Sequence, residues 1–269
     1  RLVSGPFRRP RIGDLAILEV TRIGKHRKIN TTTGRRRLYE GSRFIGVFGA
    51  RYATDAFEAV VGTSSDVHIL TSGGVVGTVQ SRHADIGRPT ELRIVGQLAA
   101  ENGQVLNAID ARFQPAALPA VSPAPIVLVT GTSMNSGKTT TARHAVHGLA
   151  SRGLRVAACK WTGSASPGDR SELESSGATF MRDFSDYGFP STFGVLLAAP
   201  CPMSALYGIE ELRRLGHEAI AVSGRLTSAP LAMAEFTDRS DTPLLSSREG
   251  ADEDALAGAL LQSLGMLRR

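Results

Sequence analysis

Along the first hundred positions, apolar and β-branched residues fall in short runs: LAILEV (15–20), FIGVFG (44–49), FEAVV (57–61), VHIL (67–70), VVGTVQ (75–80), LRIVGQL (92–98) and VLNAI (105–109). Clusters of Gly, Asp, Ser and Thr separate them, and no stretch keeps a helical period. Such spacing predicts the strands of a small all-β barrel or sandwich of about 110 residues. KHRKINTTTGRRRLYE predicts a hairpin turning at TTTG, with Lys25, Arg27, Lys28 and Arg35 to Arg37 on its arms.

After residue 125 the pattern changes. IVLVTGT predicts a buried strand opening into a Gly/Ser loop, and TTARHAVHGLASRG predicts a helix closed at Gly153, with Arg152 near the negative end of its dipole. LRVAACK, HEAIAVSG and TPLLS read as strands, while IEELRRLG and DEDALAGALLQSLG read as amphipathic helices. Strands alternating with helices predict an α/β domain, a mostly parallel sheet with helices on both faces. Between the two patterns lies QPAALPAVSPAP (114–125), with four prolines and no charge, an extended connector.

Composition narrows the class. With 269 residues, 42% hydrophobic and 21% charged, the chain is too apolar to be wholly disordered. Cys159 and Cys201 cannot build a disulfide framework or a four-thiolate zinc site, which favours a reducing cytoplasm. The longest apolar stretch, 195–206, is broken by Pro200 and Pro202, so no membrane partner is expected. The chain begins at Arg1 rather than Met, which leaves room for a trimmed targeting segment. Charge is uneven: residues 1–43 carry +9 and the remainder −3. That basic end suits nucleic acid, anionic lipid or a phosphorylated ligand, or else forms solvated hairpin faces.

The densest chemistry is VTGTSMNSGKTTT (129–141). A strand delivers the chain into Gly131, and Gly137-Lys138-Thr139 opens a helix, the context in which backbone N–H groups cradle phosphates. Gly131, Thr132, Asn135, Ser136, Gly137, Lys138, Thr139 and Thr140 are the candidate nucleotide-binding residues. Lys138 would reach the β- and γ-phosphates, and the Thr139 hydroxyl would ligate Mg²⁺. Five residues separate the two glycines where the common loop has four. The expected domains are therefore a basic all-β domain (1–114), a Pro-rich linker (115–125) and a P-loop α/β nucleotide-binding domain (126–269).

GTSMNSGKT resembles the loop of the dethiobiotin synthetase family, where the extra residue is the rule. That family places a second lysine at the end of the next strand in a Lys-x-x-x-Ser-Gly context, contacting the terminal phosphate and the carboxylated substrate. CKWTGSAS puts Lys160 and Ser164 there, although Trp161 and Ala165 replace the family's Pro and Gly. The resemblance covers 126 to about 170 and implies Lys138, Lys160 and Ser164 as catalytic residues. A looser likeness is to the molybdopterin-guanine dinucleotide biosynthesis protein B family.

A second acidic group should complete the Mg²⁺ site beside Thr139. Asp169, Asp183 and Asp186 are candidates, with capping of turn amides as their competing role. AIAVSG ends in Ser223-Gly224 rather than an acid, and the chain near Phe193 looks too short for a strand and helix, as if internal residues were missing. SGRLTSAPLA (223–232) would lie at the carboxyl end of the sheet, near a ligand. Cys159, inside an apolar strand, reads as a buried packing thiol.

Together these features predict an ATP-dependent enzyme that phosphorylates or activates a small anionic metabolite of carboxylate or carbamate type. The β domain would then shape the substrate site or a subunit contact within a homodimer. A second reading is an ATP- or GTP-binding accessory protein for cofactor biosynthesis. A third is a nucleic-acid-binding NTPase using the basic hairpin, not the favoured reading; with only Tyr39 and Phe44 near the hairpin to stack on bases, single-strand recognition is the less expected form of it.

Overall fold

Along the first long strand Ala16, Leu18 and Val20 are fully buried while their neighbours are not, the two-residue period of a strand with one face on a core. The computed structural model describes residues 8–53, 55–62, 66–113, 127–129, 137–192, 257–258 and 260–262, and the backbone of 2–3, 222–224 and 244–246. In chain order, the first strands are β1 (Leu2–Val3), β2 (Leu15–Arg22), β3 (Lys28–Thr31), β4 (Gly34–Arg37) and β5 (Arg43–Phe48). Then follow β6 (Arg51–Tyr52), β7 (Phe57–Val60), β8 (Val67–Ile69), β9 (Val75–Arg82) and β10 (Glu91–Leu98). Beyond the proline-rich stretch come α1 (Lys138–Ala150), β11 (Val156–Lys160), α2 (Pro167–Ser175), β12 (Ala178–Asp183), β13 (Val222–Gly224) and β14 (Leu244–Ser246).

Strand β2 pairs antiparallel with β10 on one side and with β5 on the other. β5 runs parallel to β9, and β8 pairs antiparallel with both β9 and β10. Those five strands thus close on themselves, and β1, β7 and β6 extend the eight-stranded sheet outward. Leu18, Val20, Phe48, Val67, Ile69, Val76 and Leu92 meet in the enclosed core. Each such side chain taken from water contributes about 1.5–3 kcal/mol. Gly46 permits the close approach: a Cβ there would sit 2.5 Å from Leu18 Cδ1.

The expectation of a mostly parallel α/β sheet covered on both faces is overturned. The dominant sheet is antiparallel at every described pairing except β5 with β9, and elsewhere parallel register is described for β13 with β14 alone. The physical reason lies in pairing. Alternation of strands and helices fixes the order of elements, not which edges meet, and β11 pairs with β12 rather than entering a wider sheet among the described residues. Two runs also miss. VLNAI forms no named strand: Val105 and Asn107 make isolated antiparallel bridges with Ala99 and Asp14. The chain then enters a 3-10 turn (Ala108–Ala111), because the Asn107 side chain accepts from the Ile109 amide and Asp110 reaches back to the Asn107 amide. Val127–Val129 form no strand, and Leu128 is exposed. The segment near Phe193, residues 225–232 and the IEELRRLG helix lie outside the described residues.

Chain contacts form two units. One joins Arg1–Ala116 with Cys159–Arg170 and Arg182–Leu197; the other joins Ala117–Ala158, Ser171–Met181 and Ala198–Arg269. In the first unit His26 packs against Phe57, and its Nδ1 is buried with no hydrogen-bond partner among the described residues. Burial, then the charges of Arg51 and Lys25, lower its pKa from 6.5 to about 4.

A neutral buried histidine of this kind stabilises the fold fully above the unfolded pKa, and that contribution is lost as pH falls from about 6.5 toward 4, where the unfolded chain binds the proton first. Urea unfolding of wild type and His26→Gln across that window should show a flatter pH dependence for the variant. Equal slopes would mean His26 does not carry the effect.

Candidate functional site

Helix α1 begins at Lys138 because Gly137 takes the left-handed conformation, φ +89°, that turns the chain into the first helical turn. Glycine offers no side chain to cap that turn, and the turn holds no acidic residue. Thr141 bonds back to the Gly137 carbonyl at 2.9 Å. Ala145 and Leu149 bury against Leu260 and Leu261, while Val146 packs with Leu173, Met181 and Val156. The helix ends at Ala150 with Ser151 as its cap, two residues before the expected Gly153, which is left-handed and bonds to the Ala150 carbonyl. Arg152 Nη1 donates to the Gly148 carbonyl, satisfying one terminal acceptor. Gly137, Lys138, Thr139 and Thr140 are therefore at the start of a packed helix. Gly131, Thr132, Asn135 and Ser136 lie outside the described residues.

The remaining candidates gather in the first unit. Lys160, at the end of β11, pairs with Asp169 and lies 5.9 Å from the centroid of the Phe184 ring. Gly163 has no Cβ, which at that position would press within 3.1 Å of the Lys160 side chain. Ser164 forms an isolated antiparallel bridge with Ser191. Around it, Gly163 N donates to Thr192 Oγ1 at 2.8 Å, Thr192 N to Gly163 O at 2.9 Å, and Ala165 N to Pro190 O at 2.9 Å.

Asp183 and Asp186 do cap turn amides. Asp183 accepts from Ser185 N at 2.8 Å, and Asp186 accepts from Asp183 N at 2.9 Å, a reciprocal capping box over the 3-10 turn Phe184–Tyr187. Arg170 joins both carboxylates, 2.5 Å from Asp186 and 3.3 Å from Asp183. Its side chain is 26% exposed and theirs are 16% and 11%. Burial lowers the Arg170 pKa, but the Asp186 hydrogen bond and the two carboxylate charges outweigh it, so the net shift is upward.

Asp169, Asp183 and Asp186 thus each hold a cationic partner. Among the described residues no group of three or more His, Cys, Asp or Glu is placed to hold a metal ion. Cys159 is exposed rather than buried as expected. Its thiol pKa is raised, first by partial burial and further by Asp183 and Asp186, against a hydrogen bond with Trp161. Such a thiol is a poor nucleophile at neutral pH.

Sequence reasoning missed Arg170, Thr192 and Thr71, whose buried hydroxyl donates to the Ala165 carbonyl at 2.7 Å. The D-x-x-D spacing of 183 and 186 signals a capping box, but nothing in PGDRSE signals which acids Arg170 meets. No family model, curated protein or solved structure matches the chain.

Removing Arg170 would leave two largely buried carboxylates without their cation. Arg170→Ala is expected to cost about 2–3 kcal/mol, read as a lower urea midpoint at neutral pH. Loss below about 0.5 kcal/mol would show that solvent screens the cluster.

Proposed function

We propose that the chain binds ATP with Mg²⁺ and phosphorylates or activates a small anionic metabolite of carboxylate type. The observation that carries the nucleotide is Gly137-Lys138-Thr139 at the head of α1: a left-handed glycine, a lysine and a hydroxyl in the first turn, and no acidic side chain there to repel phosphate. A helix N-terminus of this composition favours anions through its dipole and backbone donors. Those residues fit a triphosphate. Lys138 would meet the β- and γ-phosphates, and Thr139 would supply one hard oxygen to Mg²⁺. The ion, when bound, neutralises phosphate charge. The resemblance of GTSMNSGKT to the dethiobiotin synthetase loop supports the carboxylate class of substrate.

Calorimetric titration of the full chain with ATP in Mg²⁺ is expected to show saturable binding, and Lys138→Ala is expected to weaken it at least about tenfold, the loss of one charge-assisted phosphate contact. ADP release in the presence of a panel of small carboxylates should exceed release by ATP alone. Absence of ATP and GTP binding by wild type would end the nucleotide reading. Binding without stimulated release would favour an accessory role over an enzyme.

A further inference from the structure

Strands β3 and β4 form a two-stranded ribbon of their own, separate from the barrel sheet. Its register is Lys28↔Arg37, Ile29↔Arg36, Asn30↔Arg35 and Thr31↔Gly34, with Thr32 and Thr33 as the turn. Ile29 and Leu38 are buried in the barrel core, and Asn30 N donates to Ser72 O at 2.8 Å, so the base of the ribbon is anchored. Every residue from Thr31 to Arg37 is exposed.

Residues 25–37 hold Lys25, Arg27, Lys28, Arg35, Arg36 and Arg37 and no acid. None of these six forms an ion pair among the described residues. Nearby cations are treated differently: Arg43 and Arg93 share Glu19, and Arg22 pairs with Glu91. Glu40, the first acid after the ribbon, accepts from Ile23 N instead. Lys28 and Arg37 stand directly opposite each other, and like charges so placed destabilise a ribbon. On the same face as that pair, by strand alternation, lies Arg35. The fold therefore holds an uncompensated cationic edge in a fixed geometry.

We propose that the β3–β4 ribbon is a sequence-independent grip on duplex DNA, in which Lys28, Arg35 and Arg37 neutralise backbone phosphates. A two-stranded ribbon fits the major groove of B-form DNA, whereas the deep, narrow major groove of A-form RNA excludes it. The ribbon carries no exposed aromatic residue between 25 and 37, so it lacks the stacking platform that single strands require. Its tip, Thr31 to Gly34, offers no apolar side chain to enter a bilayer.

The test is fluorescence anisotropy of the full chain with a DNA duplex of about 20 base pairs between about 50 and 200 mM salt. Parallel arms use the single strand, the matching RNA duplex and phosphatidylserine vesicles. Binding should be tightest to duplex DNA and fall steeply with salt. The triple variant Lys28→Ala, Arg35→Ala, Arg37→Ala should lower affinity at least about tenfold at about 100 mM salt and flatten the logarithmic salt slope by about 2 to 3. All three side chains are exposed, so an unchanged thermal midpoint serves as the folding control. Lys138→Ala should bind DNA as wild type does, which separates this grip from the nucleotide reading. No wild-type binding to duplex DNA, an unchanged slope in the folded triple variant, loss of DNA binding in Lys138→Ala, or preference for any other arm would overturn the proposal.

Discussion

The Thr71 hydroxyl, buried at the turn between β8 and β9, donates to the Ala165 carbonyl at 2.7 Å, the bond by which the later segments of the first unit are tied to the barrel turn. It fastens a loop from beyond the proline-rich stretch to the barrel. Ala165 in turn holds Pro190, and Gly163 holds Thr192, so 163–165 and 190–192 are fixed as a pair. Lys160 and Asp169 lie on either side of the first of these segments. Asp183 and Asp186 precede the second, and Arg170 joins the two stretches. A buried hydroxyl without that acceptor would bear a desolvation cost of about 1–3 kcal/mol, so the loop cannot leave without penalty.

Two further bonds extend the same arrangement. Phe113 N donates to Asp186 O at 2.9 Å, and the Arg182 guanidinium lies 4.4 Å from the centroid of the Phe113 ring. Gly188 ends the 3-10 turn in the left-handed conformation, φ +84°, where a Cβ would stand 2.5 Å from Ile109 Cα. The Asn107 turn before Phe113 is thus packed against the Asp183 turn, one capping box upon another. Of the acids that the sequence offered as Mg²⁺ ligands, Asp183 and Asp186 belong to this framework and Asp169 pairs with Lys160.

Strands β2, β5, β7 and β8 were legible because each buries alternate side chains, and a two-residue period survives in a single sequence. Closure through β8 was not, since its three residues carry no mark of having two partners. VLNAI misled in part: Val105 and Asn107 do bridge to Ala99 and Asp14, but Asn107 and Asp110 cap a 3-10 turn that ends the pairing at Ala108. The parallel α/β sheet was inferred from element order, and order does not choose edges. Gly137-Lys138-Thr139 was legible from its place before a helical run. The Arg170 cluster was not, because ion pairs between distant turns leave no periodic trace.

Hydrogen–deuterium exchange of the full chain tests most directly whether these later segments are built into the barrel unit. The amides of Gly163, Ala165 and Thr192 should be protected to the same degree as those of β2 and β10 and lose protection with them as urea rises. Fast exchange at those three amides while β2 and β10 remain protected would contradict the account, because the loop would then open without the barrel.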